Sequence, residues 1–543
     1  MQQKNDLFFR FFELNFTRMK KVSLPVSKSL YIRKLIYDFL YNGCIGAIPS
    51  DAPEDVRVVH HCLTCISQGA GGGVEQDESV LIEVRDCGAA YRFLMAVLAV
   101  TPGQWMLTGI PRLMQRPIEE LVQALRSIGA EIQWCSCRDV PWRVSTNDMV
   151  IPNEDGAFSV SNVDGVISCR DAMHCVSTNN KVIPHGDVPW RVSTNTACNG
   201  FWQIRGKNLH ASELTIDCTR SGQFASALLL ISKKIGLQKL NVVPENPSSA
   251  AYIAMTKAIM DGKADLEADH MGDWSAAVYW YARLLLSQCH RKSKRNNDAV
   301  SEAASAFNAD VFPRSYKLLN LDLDSIQSDA VIAQWFSQWG IISRQEEDGM
   351  VIELDEDADI QHDVIKSDEG SVGLEGHDRE DTIVLDMSQN LDLVPVLACM
   401  ACLWPKKMVF NGVANLKYKE SDRLKIIQEE LSEFAEIQLN AYNGIDDNQL
   451  VVNSICRDVP WRVSTDNAIS CRDAMHCVST NENCSNNAPI IFSFDAHNDH
   501  RFVMGFSLFA LYGKVQVKGF DCVRKSYPNF NAEGVVAGTD IVG

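Results

Sequence analysis

The segment Lys419-Glu420-Ser421-Asp422-Arg423 packs two cations and two carboxylates into five residues, just where the pattern LKIIQEEL marks a helix start. A helix N-terminus carries free N–H groups and partial positive charge, so Lys and Arg gain no dipole stabilisation there. Something anionic must offset the arrangement. The same placement recurs along the chain. LPVSKSLYIRKL sets Lys28, Ser29 and Arg33 at a strand-to-helix turn, DCGAAYRFLMAVLAV sets Gly88 and Arg92 beside an apolar helix, and LMQRPIEEL carries Arg116. CTRSGQFASALLL carries Ser221 and Gln223, and DAHNDHRFVMGF carries Asp499, His500 and Arg501. Each alone reads as a solvated charge. Together they describe sites for phosphates or carboxylates.

The elements that must position these groups show as a degenerate repeat. LVQALRSIGAEIQW (121–134), VIAQWFSQWGIISR (331–344) and IIQEELSEFAEIQLN (426–440) each read as a helix with apolar residues at three- and four-residue spacing, then a small residue, then a short strand. YIAMTKAIMDGKADLEAD (252–269) is a looser copy. A recurring helix-then-strand unit indicates an α/β protein built from repeated units. Pro117 fits a first-turn proline, Glu119 and Glu120 suit the positive end of the helix that follows, and Gly129 follows its close.

With 543 residues, 46% of them apolar, the chain can bury a large core and is expected to form more than one domain. The net charge of −18 argues against nucleic-acid binding as the main role, since a phosphate backbone needs a basic footprint. Much of that charge is local: the fifteen acidic and two basic residues between Glu346 and Asp381 predict a solvated hairpin with an acidic loop. LFFRFFELNF near the N-terminus is interrupted by Arg10 and Glu13 and is too short to span a bilayer, so the expected location is cytoplasmic, with no membrane partner.

The eighteen cysteines are irregularly spaced and read as reduced thiols. Cys399 and Cys402 lie in the apolar run LVPVLACMACLW, where a helix would bury them. His60, His61, Cys62 and Cys65 lack a second ligand pair at zinc spacing, so no metal site is expected. Near-literal copies of CRDVPWRVSTN (137–147, 187–195 and 456–466) and ISCRDAMHCVSTN (167–179 and 469–481) are irregularly placed, unlike solenoid units. They read as surface-loop insertions. RKSKR (291–295) reads as a solvated loop.

LPVSKSLYIR resembles the LPGSKSxSNR motif of the 5-enolpyruvylshikimate-3-phosphate synthase family, KESDRL resembles its KETDRL, and NDHR is the same in both. LTGIPRLMQRPIEELVQALRSIGAEI is similar to the family's LTGxxRxxxRPxxxLxxALxxLGAxI, and RKSYPNF to its AKxFPxF; DWSAAVYWY and SIQSD agree with intermediate segments. The order holds from about Lys21 to Phe530 once the inserts are set aside. The resemblance implies a two-domain inside-out α/β barrel of repeated βαβαββ units, with the active site in the interdomain cleft and hinges near Val26 and Ala268. Residues 1–26 would be an extension and a strand of the C-terminal domain, and 27–267 the shikimate 3-phosphate side with inserts near 135–200. Residues 268–543 would form the second domain, with inserts near 288–308, 343–381 and 441–490.

The implied reaction transfers the enolpyruvyl group of phosphoenolpyruvate to shikimate 3-phosphate, in a monomer, without metal or organic cofactor. By motif match the catalytic residues are Lys28, Asp392 and Glu420. Phosphoenolpyruvate would meet Lys28, Gly88, Arg92, Arg116, Gln223, Arg423, Arg501 and Lys525. Shikimate 3-phosphate would meet Lys28, Ser29, Arg33, Ser221, Gln223, Ser249, Tyr252, Asp392 and Lys419. Taken singly, Asp392 could equally cap a helix, Asp422 could pair with Arg423, and His500 could be an interior histidine.

The chain departs from the family at Val26, at Asp86 and Ala89 (DCGAAYR for NAGTAxR), at Gly222, at Ala250-Ala251 and at Leu391. Asp86 stands out, because a carboxylate beside phosphoenolpyruvate repels it unless protonated or turned away. Two other readings stay open: the sister transferase acting on UDP-N-acetylglucosamine, which uses a loop cysteine, and a non-catalytic anion-binding relative.

Overall fold

The repeated helix-then-strand segments fold as such. Glu119–Ser127 leads into strand Glu131–Ser136, Ile332–Ser337 into Ile341–Glu346, and Arg423–Leu431 into Ala435–Tyr442. Their apolar residues turn inward: Leu121, Val122 and Leu125 are buried in the first helix, and Leu424, Ile426, Ile427 and Leu431 in the third. The computed structural model describes residues 19–70, 79–136, 150–152, 158–160, 200–245, 250–263, 271–295, 313–355, 382–455, 469–470 and 490–530. The looser copy forms the helix Ala250–Met260, and the rest of it beyond Lys263 lies outside the described residues.

Each of those three strands is the outer member of a four-stranded sheet, and the three sheets share one topology. Val80–Glu83 runs parallel to Gly103–Thr108, which pairs antiparallel with Gly200–Gly206, which pairs antiparallel with Glu131–Ser136. Thr382–Asp386, Lys407–Asn411, Ile445–Ser454 and Ala435–Tyr442 repeat that order. So do Lys20–Ser23, Ser315–Leu319, Gly349–Leu354 and Ile341–Glu346. A parallel pair needs a crossover. In the first two sheets it is a helix, Gly88–Val100 and Val394–Leu403, apolar on all sides and buried accordingly. Cys399 and Cys402 are fully buried in the second of these. In the third sheet the crossover contains half the molecule.

Two hydrophobic cores result. One draws on residues from Val26 to Met271 and the other on Val22, Leu24 and residues from Trp274 to Phe530. The chain therefore passes between the halves twice, and the two crossings brace each other. Val26 bridges Gly272, Ser27 N–H donates to the Met271 carbonyl, and Asp273 N–H donates to the Pro25 carbonyl. The hinge expected near Val26 sits at this bridge, while Ala268 lies outside the described residues. Among the described residues no helix is long and apolar enough to cross a membrane.

Several expected insert boundaries are corrected. Residues 343–354 belong to the third sheet, where Met350, Val351 and Ile352 are buried; the run of acids around them had masked a short apolar strand. Residues 441–454 likewise belong mainly to sheet strands, and 135–136 and 200 lie in strands. The helix Trp274–Arg295 runs on through RKSKR, which is not a loop. Lys and Arg are good helix formers and suit a C-terminal turn, so charge alone was no reason to end the helix. Pro117 precedes its helix by two residues instead of lying in the first turn. The near-literal copies lie almost wholly outside the described residues.

Candidate active site

Most of the residues singled out in the sequence line a single cleft between the halves. Lys28, Ser29, Arg33, Gly88, Arg92, Arg116, Ser221, Gln223 and Tyr252 reach it from the first half, and Asp392, Lys419 and Glu420 from the second. Helix starts deliver them. Lys28 opens Lys28–Tyr37, Gly88 opens Gly88–Val100, and Gln223 opens Gln223–Leu230. Free N–H groups and cations thus converge on one space.

On the first-half wall Arg33, Arg92 and Arg116 form no ion pair with a carboxylate among the described residues, whereas Arg220 is held by Glu120 at 2.6 Å and Glu119 at 3.5 Å. Arg33 is buried and donates to Thr256 Oγ1 at 2.7 Å and to the Ser29 carbonyl at 2.8 Å. Arg92 donates to Gln223 Oε1 at 2.8 Å, while its Nε is buried without a partner. Burial lowers the pKa of Arg33 to about 10, and burial together with neighbouring Arg116 does the same to Arg92. Gly88 makes that crowding feasible. A Cβ there would lie 2.7 Å from Arg116 Nη1 and 3.3 Å from Arg92 Nη1. Lys28 differs, because Asp55 holds its ammonium at 2.9 Å. Burial works against that charge, but Asp55 and Glu420 outweigh it and raise the Lys28 pKa.

On the second-half wall the charges compensate one another. Arg423, with a side chain 1% exposed, donates to Asp392 Oδ1 at 2.7 Å, Glu420 Oε2 at 2.9 Å and Asp499 Oδ2 at 2.8 Å. Lys419 lies 3.3 Å from Asp392, and Tyr252 O–H from the opposite wall donates to Asp392 Oδ2 at 3.2 Å. Burial opposes ionisation of both site carboxylates. Lys419, Arg423 and Arg501 nevertheless hold Asp392 well below the usual carboxylate range, and Arg423, Lys28 and Arg116 do so for Glu420. The charge packed into KESDR is thereby explained. Asp422 caps the helix by accepting from Lys425 N–H, and Arg423 turns back to bind three carboxylates.

Arg501 and His500 stand behind this network. The nearest carboxylate to Arg501 is Asp273 at 4.0 Å, and the Arg501 Nε and Nη1 are buried without hydrogen-bond partners. Such donors are costly to leave unmade, and Arg501 does not itself line the cleft. Burial, Lys28 and Arg501 push the His500 pKa well down, which keeps the ring neutral. Lys525 does not line the cleft and is paired with Asp86 of the first half. Ser249 lies outside the described residues. Among the described residues no group of three or more His, Cys, Asp or Glu is placed to hold a metal ion, and Cys65 Sγ lies 3.7 Å from His61 Nε2.

The structure adds residues that the sequence did not single out. Asp55 is the partner of Lys28, Asn415 lines the cleft and donates to the Thr219 carbonyl, and Arg112 donates to the Glu420 carbonyl. Asn415 stands four residues before Lys419, and that proximity was the available signal. Asp55 carried none, because an acid in a first helical turn is ordinary.

Residues 55–152, 194–446 and 473–533 match the family described as EPSP synthase (3-phosphoshikimate 1-carboxyvinyltransferase). A Bacteroides fragilis protein named 3-phosphoshikimate 1-carboxyvinyltransferase is 25% identical, over 94% of this chain and 93% of its own. One from Methanosphaerula palustris with the same name is 22% identical, over 90% and 84%. The solved structure of EPSP synthase from Acinetobacter baumannii covers 96% of both chains with a TM-score of 0.51 at 14% identity, which shows a shared fold. With the family matched over most of its length, this chain belongs to the EPSP synthase family.

Proposed function

We propose that the protein transfers the enolpyruvyl group of phosphoenolpyruvate to the 5-hydroxyl of shikimate 3-phosphate, as a 3-phosphoshikimate 1-carboxyvinyltransferase of the shikimate pathway. One observation carries this reading: Lys28, Asp392 and Glu420 face a single cleft lined also by Arg33, Arg92 and Arg116, which form no ion pair with a carboxylate among the described residues. Two polyanionic substrates suit that setting.

The reaction has two stages. In the addition, Asp392 takes the proton of the 5-hydroxyl, whose oxygen bonds to C2 of phosphoenolpyruvate while Glu420 protonates the C3 methylene. In the elimination, the C2–O bond to phosphate breaks, the new methyl group returns its proton to Glu420, and phosphate leaves with the proton held by Asp392. Lys28 stabilises the charge that develops at C2 and on the leaving phosphate. Arg92, Arg116, Arg501 and Lys525 hold phosphoenolpyruvate, and Arg423, expected from the motif to do the same, is instead taken up by Asp392, Glu420 and Asp499. Ser29, Arg33, Ser221, Gln223, Tyr252 and Lys419 hold shikimate 3-phosphate.

Glu420 is ionised in the free protein, because Arg423, Lys28 and Arg116 overcome its burial. Bound phosphate and carboxylate groups offset those same cations, which raises the Glu420 pKa and lets it carry the proton the addition needs. No cysteine lines the cleft among the described residues, which favours this reading over the loop-cysteine transferase.

The test is phosphate release from the full chain with both substrates and with each omitted. Release requiring both, with kcat falling about 10²- to 10⁴-fold in Glu420→Gln, is the expected result. Binding of shikimate 3-phosphate without any release would instead identify a non-catalytic relative.

A further inference from the structure

We propose that Asp86 is a specificity-determining residue that acts as an internal competitor: its carboxylate occupies Lys525 and must yield it before phosphoenolpyruvate can bind there. This rests on the reading of Lys525 as a phosphoenolpyruvate contact. Asp86 stands two residues ahead of Gly88, on the first half, and Lys525 closes the short helical turn Phe520–Lys525 of the second half. The two side chains form an ion pair that joins the two halves. The Lys525 side chain is only 15% exposed, against 33% for Asp86, so the ammonium is largely withdrawn from water while its partner keeps access to it. Asp55 and Glu420 also act on the charge of Lys525, which places that ammonium in the field of the site.

The pairing resolves the difficulty posed by a carboxylate at this position. Asp86 does not lie open against an incoming anion; it is neutralised, but at the expense of a cation the site would use. An entering phosphate meets Arg92 and Arg116 without first displacing a carboxylate, yet it wins Lys525 only by separating a formed pair. The same pair links the two halves, as does the contact from Tyr252 to Asp392. Replacing the carboxylate by an amide of equal size removes the competitor and leaves the backbone start of the Gly88–Val100 helix intact.

The experiment is a calorimetric titration of phosphoenolpyruvate alone, with shikimate 3-phosphate omitted so that nothing turns over, onto the full chain and its Asp86→Asn variant. Binding about fivefold tighter in the variant is expected, as for release of a partly exposed ion pair. Asp86→Ala must show the same gain, and in a Lys525→Met background Asp86→Asn must show none. Equal or weaker affinity in both charge-removing variants, absence of measurable binding in all of them, or a gain that survives without Lys525, overturns the assignment. Phosphate release by the unsubstituted chain is followed in parallel. No release together with the Lys525-dependent gain would overturn the proposed reaction and leave the role of Asp86 standing.

Discussion

Arg33 and Arg92 of the first half and Arg423 of the second are guanidinium groups prepared for opposite tasks. Arg33 and Arg92 are buried against hydroxyls, an amide and carbonyls, and their pKa values fall. Arg423 is equally buried but is bound by three carboxylates; its burial is outweighed by Asp499, Glu420 and Asp392, and its pKa rises. The first wall keeps positive charge that a ligand can complete. Around Arg423 the second wall is already compensated, so this cation serves to set the protonation of Asp392 and Glu420, while Arg501 behind it keeps unpartnered donors. One residue type at similar depth therefore does two jobs, decided by what stands beside it.

The largest expected effect tests the closed wall. Arg423→Ala would leave Asp392, Glu420 and Asp499 buried without their shared cation, at a cost of about 3 to 5 kcal/mol of folding stability. Denaturant unfolding measures it, and a loss under about 1 kcal/mol would mean that the network is not a structural unit. Arg116→Ala on the open wall should instead weaken kcat/KM for phosphoenolpyruvate by about 2 to 4 kcal/mol while the melting temperature holds or rises, since Arg92 loses a like-charged neighbour. A clear drop in melting temperature would erase the distinction between the walls.

The smallest effect probes an exception. Asp329 accepts from Ser275 Oγ at 2.5 Å and from Asn390 Nδ2 at 2.9 Å, and burial together with Asp392 raises its pKa to about 6. The folded protein then binds more protons than the unfolded chain between about pH 4 and 6, so this residue lowers stability as pH rises through that window. Asp329→Asn should flatten that slope and add about 2 kcal/mol at pH 7. Unfolding curves at pH 4.5 and pH 7 that keep the original difference would refute it.

How much of this was legible in the sequence depended on whether a residue's partner lay nearby in the chain. The helix-then-strand units declared themselves because their apolar spacing is local, as in Leu121 to Ile132 and Ile426 to Leu439. Lys28, Arg92, Arg116 and Glu420 were recognisable by position at helix starts and by motif order, and they do line one cleft. The partners were not legible. Nothing local indicates that Asp55 would take Lys28 or that Asp86 would take Lys525, because each pairing is set by tertiary packing of distant segments. The strand Gly349–Leu354 was half legible: a hairpin expected from the acidic segment is there, but a charge count over a long window placed it in solvent, whereas Met350, Val351 and Ile352 are buried.

The strand Lys20–Ser23 pairs with Ser315–Leu319, and Asn320 hydrogen-bonds the Leu24 carbonyl across 296 residues of chain. At ribosomal speeds of about 5 to 20 residues per second, the first strand of this sheet waits tens of seconds for its neighbour to be made. The first half can collapse around its own core during that interval, but the second half can close only around a segment synthesised before the other half began. Birth order and assembly order thus run in opposite directions for one sheet. A nascent chain arrested before Ser315 would hold a finished half and an orphaned strand edge, open to any other chain that offers a match.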